Sequence, residues 1–156
     1  MILLTVGTQL PFDRLVESID RLALKYQIQV KAQIGKSDYQ SQQIESRKFF
    51  TPDEIEKAFK EASIVISHAG MGSIINCLRY KKPVIIFPRL SKYGEHRNDH
   101  QLDTLESFSN IQGIYPARNE DELERLISNI DQLNSPLGLY TPERESLISF
   151  IREKIQ

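Results

Sequence analysis

Hydrophobic and polar positions along the chain switch repeatedly between two periods. Residues 2–6 form a short apolar run ended by Gly7, which predicts a first strand. Between Asp13 and Lys25 the apolar residues are Leu15, Val16, Ile19, Leu22 and Ala23, the spacing of one helix face. Residues 27–34 alternate, with Ile28, Val30, Ala32 and Ile34 on one side and Gly35 behind them, and predict a second strand. Residues 36–47 are polar and read as a loop or a poorly packed helix, so a short third strand is expected at 48–50. Thr51, Pro52 and Glu54 then supply an N-cap, a first helical position and a capping partner for a helix to about residue 61.

Ile64, Val65 and Ile66 form the continuous apolar run of a strand covered on both faces. It leads through residues 67–73 into a helix that reaches Tyr80, and residues 83–87 give another buried strand closed by Pro88. A helix over 98–108, a strand over 111–115 and a helix capped by Asn119 follow. A last helix begins near Thr141, with Leu147, Ile148, Ile151 and Ile155 on one face. This alternation predicts an α/β fold, a Rossmann-like parallel sheet with helices on both faces and right-handed crossovers. At 156 residues the whole chain, 1–156, is expected to be a single domain. Ligands of such sheets bind at the carboxyl ends of the strands. Here those ends are Gly7 and Thr8, Gly35, Phe50 and Thr51, residues 67–73, and residues 88–98.

Composition narrows the classes. The net charge is −1, which argues against a general nucleic-acid binder. A single cysteine, Cys77, excludes an internal disulfide framework, fits a reducing compartment and reads as core beside Ile74 and Leu78. No apolar run approaches the roughly 18 residues of a membrane span. The N-terminus lacks a basic leader and reads as a strand, not a signal peptide. The charge is uneven: Arg79, Lys81, Lys82, Arg89, Lys92 and Arg97 stand against Glu95 alone, inside an otherwise neutral or acidic chain. Such a segment is either a solvated loop or part of an anion site, and its place at the ligand edge favours the second.

The sharpest local signal is the turn from Ser67 to Ser73. Gly70 and Gly72 let a ligand approach the backbone, and the N–H groups of the helix start point at it. Ser73 adds a hydroxyl. The arrangement suits a phosphate or diphosphate, or is only a tight strand-to-helix turn. The spacing is neither a dinucleotide fingerprint nor a Walker loop.

The run Ser67-His68-Ala69-Gly70-Met71-Gly72-Ser73-Ile74, the run Lys82 to Pro88, and Asn98-Asp99-His100-Gln101 together resemble the C-terminal domain of family-28 glycosyltransferases. The opening Thr5-Val6-Gly7-Thr8 with Pro11-Phe12-Asp13 is similar to the stand-alone, sugar-nucleotide-binding version of that domain. That version includes bacterial exopolysaccharide and capsule subunits of the PssE type and the catalytic subunit of the eukaryotic dolichol-linked N-acetylglucosaminyltransferase. Residues 88–96 resemble the bacterial branch more closely.

The resemblance implies the C-terminal half of a GT-B enzyme that binds a UDP-sugar. It implies an inverting hexosyl transfer to a lipid-linked saccharide for exopolysaccharide or capsule, with no metal and no further cofactor. A separate, membrane-anchored subunit would bind the acceptor and hold this chain at the cytoplasmic face of the membrane. Carried over residue by residue, Gly70, Met71, Gly72 and Ser73 would hold the diphosphate. Phe50 and Thr51 would read uracil, Asn98, His100 and Gln101 the sugar, and Asn76 would stand where relatives often carry a ribose-binding glutamate. Gly7, Thr8 and His68 would complete the donor site. Asn98 and Gln101 equally fit a capping pair, and Thr8 and His68 equally fit local turn contacts. For the base, this chain offers Glu95 and His96, or the base sits on the partner. The last helix suggests that the isolated chain self-associates. A rival reading is a sugar-nucleotide-binding regulatory or scaffold module without transferase activity.

Overall fold

A computed structural model describes residues 1–8 and 10–137. The expected last helix, with Leu147 and Ile151, and the oligomerisation it suggested lie outside these described residues.

Six parallel strands form one sheet: β1 (Ile2–Thr5), β2 (Val30–Gln33), β3 (Glu45–Arg47), β4 (Ile64–His68), β5 (Val84–Phe87) and β6 (Ile114–Pro116). Their order across the sheet is β3-β2-β1-β4-β5-β6. The chain therefore winds outward from β1 in one direction, returns, and winds outward from β4 in the other. The point between β1 and β4 is the topological switch where ligands of open α/β sheets bind.

Among the described residues four α-helices connect strands, α1 (Asp13–Tyr26), α2 (Pro52–Glu61), α3 (Met71–Arg79) and α4 (His100–Phe108), and a fifth, α5 (Glu120–Ser128), follows β6. Strand side chains alternate between faces, and the core divides along that period. Leu4, Ile66, Ile85 and Phe87 pack with Leu15, Val16 and Ile19 of α1 and Leu123 of α5. Leu3, Val65, Val84 and Ile86 pack with Phe59 of α2, Cys77 and Leu78 of α3, and Leu105 and Phe108 of α4. Both faces are covered, which is why β4 and β5 read as uninterrupted apolar runs. Cys77 is fully buried in this second face, and burial raises its thiol pKa.

Two expectations need correction. The third strand lies at Glu45–Arg47, not 48–50, inside the polar stretch whose pattern predicts a loop or poorly packed helix. It is an edge strand whose register, Lys31 opposite Glu45, comes from pairing with β2, so its own residues need not be apolar. Helix α4 starts at His100, not Asn98, and the Asn98–Gln101 capping pair does not form. Asn98 Oδ1 accepts the His100 N–H at 3.0 Å, while the Gln101 side chain turns into the protein.

Asp20, on α1, is a buried carboxylate that fastens the connection between β2 and β3. It accepts the backbone N–H groups of Gln42, Gln43 and Ile44 and the Tyr39 hydroxyl, at 2.8–3.2 Å. Burial pushes its pKa up, but these four donors outweigh burial and hold the carboxyl below its usual value.

Candidate functional site at the switch point

An open cleft of about 470 Å³ sits at the carboxyl ends of β1 and β4. Gly7 and Thr8 line it after β1, His68 at the end of β4, Gly70, Gly72 and Ser73 at the start of α3, and Arg89, His96 and Gln101 from the segment after β5. Of the residues singled out from sequence, the structure thus gathers Gly7, Thr8, His68, Gly70, Gly72, Ser73, His96 and Gln101. No carboxylate is among the described residues that line it.

The start of α3 is open to a ligand. Gly70 is the N-cap and has no side chain to accept from the helix. The first helical hydrogen bond runs from Ile74 N–H to Gly70 O at 3.2 Å, so the N–H groups of Met71, Gly72 and Ser73 lie ahead of it. The Met71 side chain packs against the core, leaving its backbone as its part in the turn. A Cβ placed on Gly72 would meet nothing within 4 Å. One on Gly70 would lie 2.3 Å from His68 Cε1 and 2.7 Å from Nε2, so the His68 ring fills the space this glycine leaves. Gly7, at φ +81°, borders the same ring, with its would-be Cβ 3.1 Å from Nε2.

Gln101 ties the cleft walls together. Its Oε1 accepts the N–H of Ala69 at 3.2 Å and of Arg89 at 3.0 Å, and its amide nitrogen lies 3.2 Å from His68 Nδ1. Burial, together with the charges of Arg89 and His96, pushes the His68 pKa down to about 3, so the ring is neutral near pH 7.

Arg89 is the site residue that motif reading passed over. It was visible only as one charge among six. The guanidinium is buried at 2% exposure, and its donors go to backbone carbonyls: Pro11 at 2.9 Å, Glu95 at 3.3 Å, and Val6. Burial pushes its pKa down to about 10, with Glu95 acting in the opposite sense, so it stays charged at neutral pH. Among the described residues no carboxylate bonds to it. A cation in this position, beside a helix N-terminus, makes the cleft attractive to an anion.

The other candidates lie elsewhere. Glu95 is buried, but its carboxylate is held by Arg14 through two contacts of 2.9 Å and by the Leu90 N–H at 3.0 Å. It lines a neighbouring charged cleft with Arg14, Glu17, Arg21 and Glu120. Thr51 forms the full capping box of α2 with Glu54, and the Phe50 N–H donates to Gln33 Oε1 at 2.7 Å, so this N–H is occupied. Asn76 is half-buried one turn along α3 from Gly72 and Ser73, outside the cleft lining. Asn98 and His100 flank the α4 start without lining the cleft. The basic segment is split by β5: Arg79, Lys81 and Lys82 precede it at the opposite sheet edge, and only Arg89, Lys92 and Arg97 reach the ligand edge. Among the described residues no three His, Cys, Asp or Glu side chains gather to hold a metal ion.

Comparison with known proteins decides the family. Residues 1–156 match the model of the glycosyltransferase family 28 C-terminal domain. The chain belongs to this family. It is 32% identical over 94 residues to the UDP-N-acetylglucosamine transferase subunit ALG13 of Candida albicans, a match covering 60% of this chain and 30% of that relative. The chain thus spans under a third of that protein's length. Among solved structures, the NMR structure of ALG13 superposes with a TM-score of 0.66 at 19% identity, covering 94% of this chain and 93% of that one. MurG of Acinetobacter baumannii superposes with a TM-score of 0.62 at 17% identity, covering 83% of this chain and 41% of that one. The family's fold, the C-terminal half of a GT-B glycosyltransferase, is therefore the fold seen here. No helix among the described residues is long and apolar enough to cross a membrane.

Proposed function

We propose that this domain binds the diphosphate of a UDP-sugar at the switch-point cleft and serves as the donor-binding subunit of a two-component, inverting glycosyltransferase. The observation that carries the reading is the uncapped start of α3 facing a buried guanidinium that has no carboxylate partner among the described residues. In a transferase that arrangement stabilises the diphosphate as negative charge grows on it during departure, which is where electrostatic catalysis acts. Gly72 gives the phosphates access, Ser73 can donate its hydroxyl, and Thr8 sits at the rim. The similarity to ALG13 supports UDP-N-acetylglucosamine or another UDP-hexose as donor. ALG13's being a transferase subunit also supports a second chain, to which the proposal gives the lipid-linked acceptor at the cytoplasmic membrane face. The resemblance of residues 88–96 to bacterial subunits supports exopolysaccharide or capsule as the product.

The base follows from the same geometry. A base must reach the acceptor hydroxyl. Glu95 is spoken for by Arg14, and the cleft's described lining has no carboxylate. His96 lines the cleft and is the remaining candidate among the described residues, although its unpartnered Nδ1 is itself buried; otherwise the partner supplies the base.

Two measurements test the reading. UDP and UDP-sugars should raise the melting temperature, since binding to the native state alone stabilises it. Co-expression with an acceptor-binding subunit should yield transfer activity that neither chain shows alone. A thermal shift from another phosphorylated ligand with none from UDP compounds would sink the donor assignment, and binding without transfer in the pair would favour a regulatory module.

A further inference from the structure

We propose that Gln101 is a positioning residue: it holds His68 as the neutral imidazole protonated on Nε2, and so aims that N–H into the cleft as a donor to the bound diphosphate. The ligand part of this inference rests on the proposed function; the tautomer part does not.

Two backbone N–H groups converge on one end of the Gln101 amide, from Ala69 after β4 and Arg89 after β5. Only the oxygen can accept them, so the other end, 3.2 Å from His68 Nδ1, is the NH2 group. An amide NH2 donates and does not accept. Nδ1 must therefore present its lone pair, which places the proton of a neutral ring on Nε2. Gln101 is buried at 7% exposure, so the amide is held in this orientation by protein donors.

The surroundings keep the ring neutral. Arg89 faces it from the segment after β5 and His96 from the connection to α4, while Gly7 after β1 presents only backbone. No acidic group is among the influences on His68, and burial, the largest, acts in the same direction as Arg89 and His96. The Nε2 side of the ring lies against Gly7 and Gly70, beside the open N–H groups of α3. It has no hydrogen-bond partner among the described residues. A donor set of backbone N–H groups, one imidazole N–H and one guanidinium then surrounds the anion position. This assigns Gln101 a different task from sugar reading, because its Oε1 is occupied by two backbone donors.

The test uses Gln101→Glu. A carboxylate still accepts from Ala69 and Arg89, so those contacts survive, but it offers His68 Nδ1 an acceptor in place of a donor. Two-bond ¹H–¹⁵N spectra of the ¹⁵N-labelled full chain, with ring signals assigned through His96→Gln and His100→Gln, read the tautomer directly. The wild-type His68 ring should show Nε2–H and stay unchanged from pH 8 to pH 5. Gln101→Glu should move the proton to Nδ1 and give the ring a titration in that range. Affinity for UDP-N-acetylglucosamine, whose doubly esterified diphosphate does not titrate there, is compared in chains that all carry His96→Gln, because His96 lines the same cleft, and should be flat with pH when Gln101 is retained. In Gln101→Glu it should fall about tenfold at pH 8, the weight of one hydrogen bond to a charged acceptor, and recover on acidification as the imidazolium restores Nε2–H. Gln101→Met controls for general damage, since its loss should not depend on pH. A wild-type ring protonated on Nδ1 or titrating near its ordinary value overturns the inference, as does Nε2–H persisting in Gln101→Glu. A correct tautomer in a chain that binds no UDP-sugar overturns the proposed function and the donor role while leaving the tautomer assignment standing.

Discussion

Arg14 and Arg89 both lie over the ring of Phe12, at 5.6 and 4.7 Å, yet they build opposite kinds of site. Arg14 is neutralised. It binds the Glu95 carboxylate twice, Glu120 at 3.0 Å and the Pro88 carbonyl at 3.0 Å, and stacks on Phe87 and Tyr93. Arg89 is not neutralised, because its partners are carbonyls. Glu95 divides the labour between them: its carboxylate goes to Arg14 and its carbonyl oxygen to Arg89. A cation closed by carboxylates holds the chain together. A cation held by carbonyls keeps its field, and that field needs an anion to complete it.

The largest expected effect breaks the closed side. Arg14→Met leaves Glu95 buried without its cation and should cost about 3–5 kcal/mol of folding stability. Arg89→Met leaves three carbonyls short of a donor and should cost less, about 1–3 kcal/mol. Ligand response should run the other way. Arg14→Met, once folded, should bind UDP compounds as the wild type does, and Arg89→Met should lose at least about tenfold in affinity, the weight of one charge-assisted hydrogen bond. Urea denaturation and titration calorimetry on both variants check this, and equal ligand losses would erase the distinction drawn between the two arginines.

Asp20 extends the closed class to an acid. Asp20→Ala should cost about 2–3 kcal/mol, because three backbone N–H groups lose their acceptor. The pH dependence has a definite sign. The native carboxyl sits below its unfolded value of about 3.9, so its contribution is complete above that value and is lost as pH falls through the lower native one. Asp20→Asn should therefore flatten the acid limb of the stability curve below about pH 4. An acid limb unchanged in the variant would show that another carboxylate governs it.

Gly72 sharpens the open side, since stability and binding should separate there. A Cβ at this position meets no protein atom, so Gly72→Val should change stability by less than about 1 kcal/mol. It should abolish the thermal shift from UDP. A folded variant that responds normally would reduce the α3 turn to a purely structural element.

What was legible in the sequence follows the range of the interactions. The α3 turn and the capping box at Thr51 are local, so residue types at fixed spacing revealed them. The two-sided burial of β4 and β5 was legible because every side chain of those strands meets a helix layer. Strand β3 was misplaced because its register is imposed by β2 across the sheet edge. Asp20 read as one more polar position on α1, since its partners lie 19–24 residues away. Arg89 could not be told from Lys92 or Arg97 by type; what distinguishes it is contact with carbonyls of Val6 and Pro11, 83 and 78 residues away. Gln101 likewise resembled a capping partner until the ends of β4 and β5 brought two backbone donors to it.

The smallest expected effect concerns Asn76, which stands three residues after Ser73 and four after Gly72, on the same face of α3. A diphosphate seated on the helix start would direct its ribose along this face, where the family resemblance implies a ribose-binding glutamate. Asparagine offers a neutral acceptor there, whereas a carboxylate makes stronger, charge-assisted bonds to the two ribose hydroxyls. Placing that charge one turn inside the helix leaves the anion position at its N-terminus to Arg89 and the N–H groups. Asn76→Glu should thus tighten UDP by about 0.5–1 kcal/mol, within the range of a single net hydrogen bond. The gain should vanish for 2′,3′-dideoxy-UDP, which has no hydroxyls to engage. Calorimetry with the two nucleotides separates the cases. Equal changes for both would mean that position 76 does not face the ribose, and the donor would then have to lie across the cleft in another direction, toward Thr8 and His96.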